Sequence, residues 1–166
     1  MALYLSTLRD TGVSSESGLI RSVKSAIVDS VERSFVLFGA KSAAIQRIYE
    51  VAAEARHDGW DGEDAVALPP FVVGRAVAFV RAFPDSLPLP EVAPEADGSL
   101  SFDWIAAQTR IFSLSIGESN RLSFAWIDGT DRGHGVARFD GATIPTRILD
   151  GIRELMDDRA ASIRVA

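Results

Sequence analysis

Apolar residues along the chain follow two rhythms, one helical and one alternating, and the change between them falls near residue 98. Leu19, Ile20, Val23, Ile27, Val31 and Phe35 recur at three- and four-residue spacing opposite Arg21, Lys24, Asp29 and Arg33. This predicts an amphipathic helix over residues 16–35. The same spacing returns in Ala44, Ile45, Ile48, Tyr49, Ala52 and Ala55, predicting a second helix over 41–56 that follows a break at Gly39 and pairs with the first as a helical hairpin. Pro69 and Pro70 then open a third helix over 71–83, because a proline in the first turn removes only an N–H that would be unpaired anyway. That helix is apolar nearly all round, interrupted by Gly74, Arg75 and Arg81, so it is expected to lie centrally.

Pro84, Pro88, Pro90 and Pro94 exclude a helix or a central strand over residues 84–98, and Asp97-Gly98 signals a turn. Period two then takes over. Leu100, Phe102 and Trp104 alternate with Ser101 and Asp103, Phe112, Leu114 and Ile116 with Ser113 and Ser115, and Leu122, Phe124 and Trp126 with Ser123 and Ala125. Gly117 to Asn120 suits a hairpin link, and Asp128-Gly129-Thr130-Asp131 suits the turn into a short strand near 133–139. Helical spacing resumes over 144–156 through Ile148, Leu149, Ile152, Leu155 and Met156, with Pro145 inside the first turn. The expected fold class is therefore α+β: two or three N-terminal helices, a meander of three to four antiparallel strands and a C-terminal helix. Residues 1–17, with a Ser-, Thr- and Gly-rich connection over 9–18, read as a flexible or arm-exchanging segment before a single domain over 18–166. Leu3, Leu5 and Leu8 need a dry neighbour there, and a second copy of the chain would supply one.

Composition narrows the chemistry. The 166 residues contain no cysteine, which removes disulfides, thiolate metal centres and a thiol nucleophile. His57 and His134 are the only imidazoles, so three histidines of one chain cannot meet at a zinc ion. No Gly-x-Ser-x-Gly elbow occurs, and Gly12-Val13-Ser14-Ser15 lacks the lysine and the apolar strand of a phosphate loop. The first residues lack the basic start and long apolar run of a secretory signal, and 18 successive apolar residues occur nowhere; no membrane partner and a cytoplasmic location are expected.

The net charge of −6 is unevenly placed: residues 57–104 hold nine acids against Arg75 and Arg81, whereas residues 105–166 balance eight of each sign. Nucleic acid is therefore not the expected partner, and the aromatic strands lack the basic track of a base-stacking sheet. A helix-covered core is the expected fate of those aromatics. The serines at alternate positions, Ser99, Ser101, Ser113, Ser115 and Ser123, then mark the opposite face, a surface with few charges suited to a partner or to self-association.

Ionisable side chains are densest at His57-Asp58-Gly59-Trp60-Asp61-Gly62-Glu63-Asp64. The spacing does not fit a calcium loop, which ends on a bidentate Glu. Two Asp-Gly turns would instead drive Trp60 inward as a plug between the second and third helices, with Asp61 accepting backbone N–H bonds. Trp60, Asp61, Glu63, Asp64 and His134 are the candidate binding residues; His134 lies between Gly133 and Gly135, where a substrate or partner could approach the backbone closely. No catalytic residue, metal ligand or cofactor site is assigned.

Gly59-Trp60-Asp61-Gly62, a Pro-initiated helix, Pro90-Glu91-Val92-Ala93-Pro94, Asp97-Gly98 and a strand ending in Trp104 resemble a widespread family of uncharacterised bacterial proteins. That family has a Trp-Asp-Gly-Tyr-Gly-Ala-type loop, a Pro-Xaa-Val-Xaa-Pro segment and a small antiparallel sheet. The resemblance covers about residues 45–156 and departs at Glu63-Asp64, where the family has Tyr-Gly. It implies the fold and a role as an accessory of mobile elements or defence islands. The expected function is a non-enzymatic protein-binding module, a regulator, antitoxin-like partner or inhibitor, forming a homo-oligomer. The alternative is a metal-dependent hydrolase or nuclease using Asp58, Asp61, Glu63 and Asp64, with His57 or His134 as base.

Overall fold

The computed structural model describes residues 39–157. The expected arm, its connection and the helix over 16–35 lie outside the described residues, as does the division of the chain at residue 17. The first described helix, α1, covers residues 39–54, so Gly39 is helical rather than a break before the helix. Its core residues are Ile48 and Val51, joined by Ala55 just past its end, whereas Tyr49 is 56% exposed. The expected face holds except at Tyr49: Ala44, Ile45 and Ala52 pack against the core beside Ile48 and Ala55, whereas position 49 stands about 100° from 48 and turns outward.

Helix α2 spans Pro70–Ala82 and buries Val72, Val73, Ala76, Val77, Phe79 and Val80, the broad apolar surface expected of a central helix. Lys41 joins the start of α1 to the end of α2 through an ion pair with Asp85 at 2.7 Å and a hydrogen bond to the Arg81 carbonyl. The sheet that follows has five antiparallel strands in sequence order: β1 Glu91–Pro94, β2 Leu100–Ala107, β3 Arg110–Ile116, β4 Arg121–Asp128 and β5 Asp131–Arg138. The α+β class holds, with one strand more than expected. The addition, β1, lies in the proline-rich stretch; among the described residues it pairs only with β2, and an edge strand tolerates Pro94 because one row of its backbone groups faces away from the ladder. Gly129 at φ +65° and Thr130 form the two-residue β4–β5 turn, with the glycine first as a type II′ hairpin requires. Helix α3 spans Thr146–Met156 and starts after Pro145 rather than at 144. Among the described residues no helix is long and apolar enough to cross a membrane.

Alternation is realised as expected on the helix-facing side of the sheet. Phe102, Trp104, Phe112, Leu114, Leu122 and Phe124 are buried there. Phe83, Trp104, Phe112 and Phe124 form a row of rings with centroids 5.5, 5.9 and 5.6 Å apart, crossing from the end of α2 over β2, β3 and β4. Trp104 Nε1–H donates to the Pro88 carbonyl at 2.8 Å, so its one polar atom is satisfied inside the core.

Three glycines make room for these rings. A Cβ on Gly133 would stand 2.8 Å from the Trp126 ring, one on Gly135 2.6 Å from Phe124, and one on Gly151 of α3 2.8 Å from Phe112. Arg110 ties the layers together: it pairs with Asp128 at 3.4 Å and donates to the Leu155 carbonyl at the end of α3. Before α3, the Asp140 carboxylate accepts the N–H groups of Thr143 at 2.7 Å and Ala142 at 2.9 Å. Those bonds, the Thr143 one foremost, hold its carboxyl below the ordinary aspartate value.

Two exchanges of helical glycine for alanine should have opposite signs. Gly74→Ala, with nothing near its Cβ, should raise stability by about 0.5–1 kcal/mol, the usual helical gain. Gly151→Ala should lose about 1–3 kcal/mol through overpacking against Phe112; urea unfolding of both variants measures this. Because the Asp140 pKa is lowered on folding, its contribution is present above the unfolded carboxyl's pKa and lost as pH falls through the folded one. Asp140→Ala should therefore melt below the wild type at neutral pH, and the gap should close in acid.

Candidate functional site

The acidic loop after α1 is built from its own turns. Gly59 and Gly62 adopt φ +72° and +89°, which reverses the chain twice within four residues. Asp61 Oδ1 accepts the N–H of Glu63 at 2.8 Å and of Ala65 at 3.4 Å, as expected, and Asp58 accepts that of Ala67 at 2.8 Å. Trp60 is half-buried rather than fully inserted: it packs against the core while Nε1–H donates to the Val66 carbonyl at 3.2 Å. Glu63 and Asp64 point outward and are exposed. The loop's carboxylates thus bond to its own backbone or face solvent. Among the described residues no three acids or histidines converge as metal ligands would.

His134 is exposed on the side of β5 opposite the helices, since its neighbours Gly133 and Gly135 take the helix-facing positions. Those glycines do admit a close approach, and the approaching groups are the rings of Trp126 and Phe124. His134 therefore stands apart from Trp60, Asp61, Glu63 and Asp64 in the chain's architecture, one on a strand and four in the loop after α1.

The feature that the linear reading missed lies on the helix side of β5. Its inward positions are Gly133, Gly135 and Ala137, too small to fill the space up to α3. A cleft of about 420 Å³ remains between them. Its floor is Phe112, Phe124 and the half-buried Trp126; its rim carries Asp128 and Asp131 from the β4–β5 turn and Arg147, Asp150 and Glu154 from α3. Positions 147, 150, 151, 154 and 155 share one face of α3 by the helical repeat. The rim has four carboxylates against one guanidinium. Asp128 is engaged by Arg110 and Asp150 by Arg153 at 2.6 Å. Arg147 lies over the Phe124 ring with its Cζ 5.4 Å from the centroid, so one end of the floor already holds a cation against an aromatic face.

A flat aromatic floor below carboxylates can take a cation with an apolar stem, as in arginine, lysine or an alkylammonium group. The signal was present in strand parity: Trp126 and Asp128 share the side of Phe124. It was hidden because residues 105–166 carry no net charge. No protein-family model, no curated protein and no solved structure matches this chain.

Truncating the half-buried Trp60 to Ala should cost about 1–3 kcal/mol, between a lost hydrogen bond and the 3–5 of a fully buried large aromatic. Trp60→Phe should recover most of that loss. Chemical unfolding of the two variants beside the wild type measures both steps.

Proposed function

We propose that the chain is a protein-binding accessory module, a regulator, antitoxin-like partner or inhibitor, and that its cleft receives a basic segment of the partner. The observation that carries this reading is the aromatic floor of Phe112, Phe124 and Trp126 under a carboxylate rim. An arginine or lysine side chain laid on Trp126 would bury its methylenes on the ring and bring its charge to Asp131 and Glu154.

The neighbouring strand extends the same logic. β5 ends the sheet, so its outer row of N–H and C=O groups has no partner strand among the described residues. An extended peptide running along such an edge gains main-chain hydrogen bonds, while its side chains enter the flanking pockets. Asp131 and Glu154, the rim acids that Arg110 and Arg153 leave unengaged, draw a basic segment toward the cleft, and attraction between exposed charges weakens as salt is raised. The resemblance to accessories of mobile elements and defence islands fits a module that acts by holding another protein.

A fluorescently labelled arginine-rich peptide tests the proposal, with a glutamate-rich peptide of equal length as control. Binding of the basic peptide alone is expected at low ionic strength, with loss as salt is added. Glu154→Lys and Asp131→Lys should each weaken it about tenfold, a typical effect of reversing a charge that faces its partner. Trp126→Ala should weaken it with the net charge unchanged. Equal binding of the two peptides, or binding that ignores all three substitutions, would overturn the assignment.

A further inference from the structure

The sheet surface facing away from α2 and α3 is ordered in rows. Side chains directly opposite in register share a face. One row is Ile105, Ile111 and Ile127, a second is Asp103, Ser113 and Ala125, and a third is Ser101, Ser115 and Ser123. Ile105 and Ile127 are 51% and 45% exposed, and Val136 on β5 is 48% exposed. Three isoleucines side by side on an open sheet, without a lysine among them, form an apolar stripe that isolated surface residues do not.

Charge on this face is sorted by strand. Glu91 lies opposite Asp103 at the β1–β2 side, and Glu95 continues the same edge. Arg121 lies opposite Arg138 at the β4–β5 side, with His134 and Arg132 further along β5. Like charges placed directly across a strand pair are destabilising, and none of these seven side chains joins an ion pair within the described residues. Glu91 and Glu95 stand at the β1 margin of the face and Arg132, His134 and Arg138 at the β5 margin, with Asp103 and Arg121 one strand further in.

We infer that this face is a self-complementary surface on which a second copy of the chain docks, related by a two-fold axis parallel to the strands and passing over β3. Such an axis sets β1 against the partner's β5 and β2 against the partner's β4 while keeping position along the strands. Glu95 then meets Arg138 of the second copy and Glu91 its His134, and the isoleucine row stacks on itself with Ile111 at the axis. In the third row Ser123 is exposed and Ser115 half-buried, while Ser101 is already buried, and side chains this small let two sheets approach to the usual spacing of about 10 Å. A two-fold axis perpendicular to the strands lays β1 on β1 and β5 on β5, acids on acids and arginines on arginines. The charge pattern therefore selects one axis.

Five strands about 4.8 Å apart and about seven residues long project roughly 500 Å² per copy, or about 1,000 Å² in total. That is the lower end for a specific interface, so a dimer dissociating in the micromolar range is expected. Helix α3 and the cleft lie on the other side of the sheet, so dimerisation leaves the proposed peptide site open.

Sedimentation equilibrium of the full chain over the micromolar range tests the inference. The wild type should shift from monomer to dimer, and Ile111→Lys, which sets two cations face to face at the axis, should remain a monomer with an unchanged far-ultraviolet circular dichroism spectrum. Glu95→Arg and Arg138→Glu, which this axis sets against one another, should each raise the dissociation constant about tenfold, and the double variant should restore it to near the wild-type value. The restored double variant identifies the axis even if Ile111→Lys fails to fold. A wild type that stays monomeric throughout would overturn the inference, as would a dimer insensitive to the charge reversals or a double variant weaker than either single one.

Discussion

The row of rings from Phe83 through Trp104 and Phe112 to Phe124 is the contact on which the other features of the fold depend. It crosses from the end of α2 to the fourth strand, so it fixes helix and sheet against one another with groups too large to rearrange without opening a void. Phe79 of α2 anchors the same row from above, touching Phe83, Phe102, Trp104 and Phe139. The period-two pattern supplies the rings, and the sheet register lines them up.

A row of rings needs clearance at its far end, and the chain provides it with glycine. Gly151 lets α3 pass over Phe112, and Gly135 and Gly133 let Phe124 and Trp126 lie across β5. The same economy of side chains that admits the rings leaves β5 unable to fill the space below α3. The cleft is thus a by-product of core packing at its margin, and its floor is the end of the core itself. Arg110 bounds it on one side by tying β3, β4 and the last turn of α3, where a cation also meets the helix dipole favourably.

Fold was more legible in the sequence than site. The strands with strict alternation, the proline-opened helix and the Asp-Gly and Gly-Thr turns each rest on a local rule and stand close to their expected places, β2 running on past Trp104 to Ala107. β1 escaped because an edge strand is permitted what a central strand is not, and proline counting does not distinguish the two. Tyr49 was placed inward because a large aromatic weighs heavily in a short apolar pattern, although the helical repeat centres on Ile48. Gly133 and Gly135 are points of close approach, but the approaching groups are the chain's own Trp126 and Phe124 rings rather than a substrate or partner.

Charge shows the same difference between one dimension and three. The acid-rich stretch over 57–104 drew attention, yet Asp58 and Asp61 use their carboxylates to hold their own loop. Residues 105–166 balance to zero, although along β4 and β5 the folded chain separates sign by face. In β4 and β5, Arg121, Arg132, His134 and Arg138 occupy one parity and Asp128 and Asp131 the other, so pleating alone puts cations on the open face and acids beside the cleft. Helix α3 reinforces the acidic side by adding Asp150 and Glu154 one turn apart. A stretch with no net charge thus still sorts its charges by face along β4 and β5, and the two faces can select different neighbours.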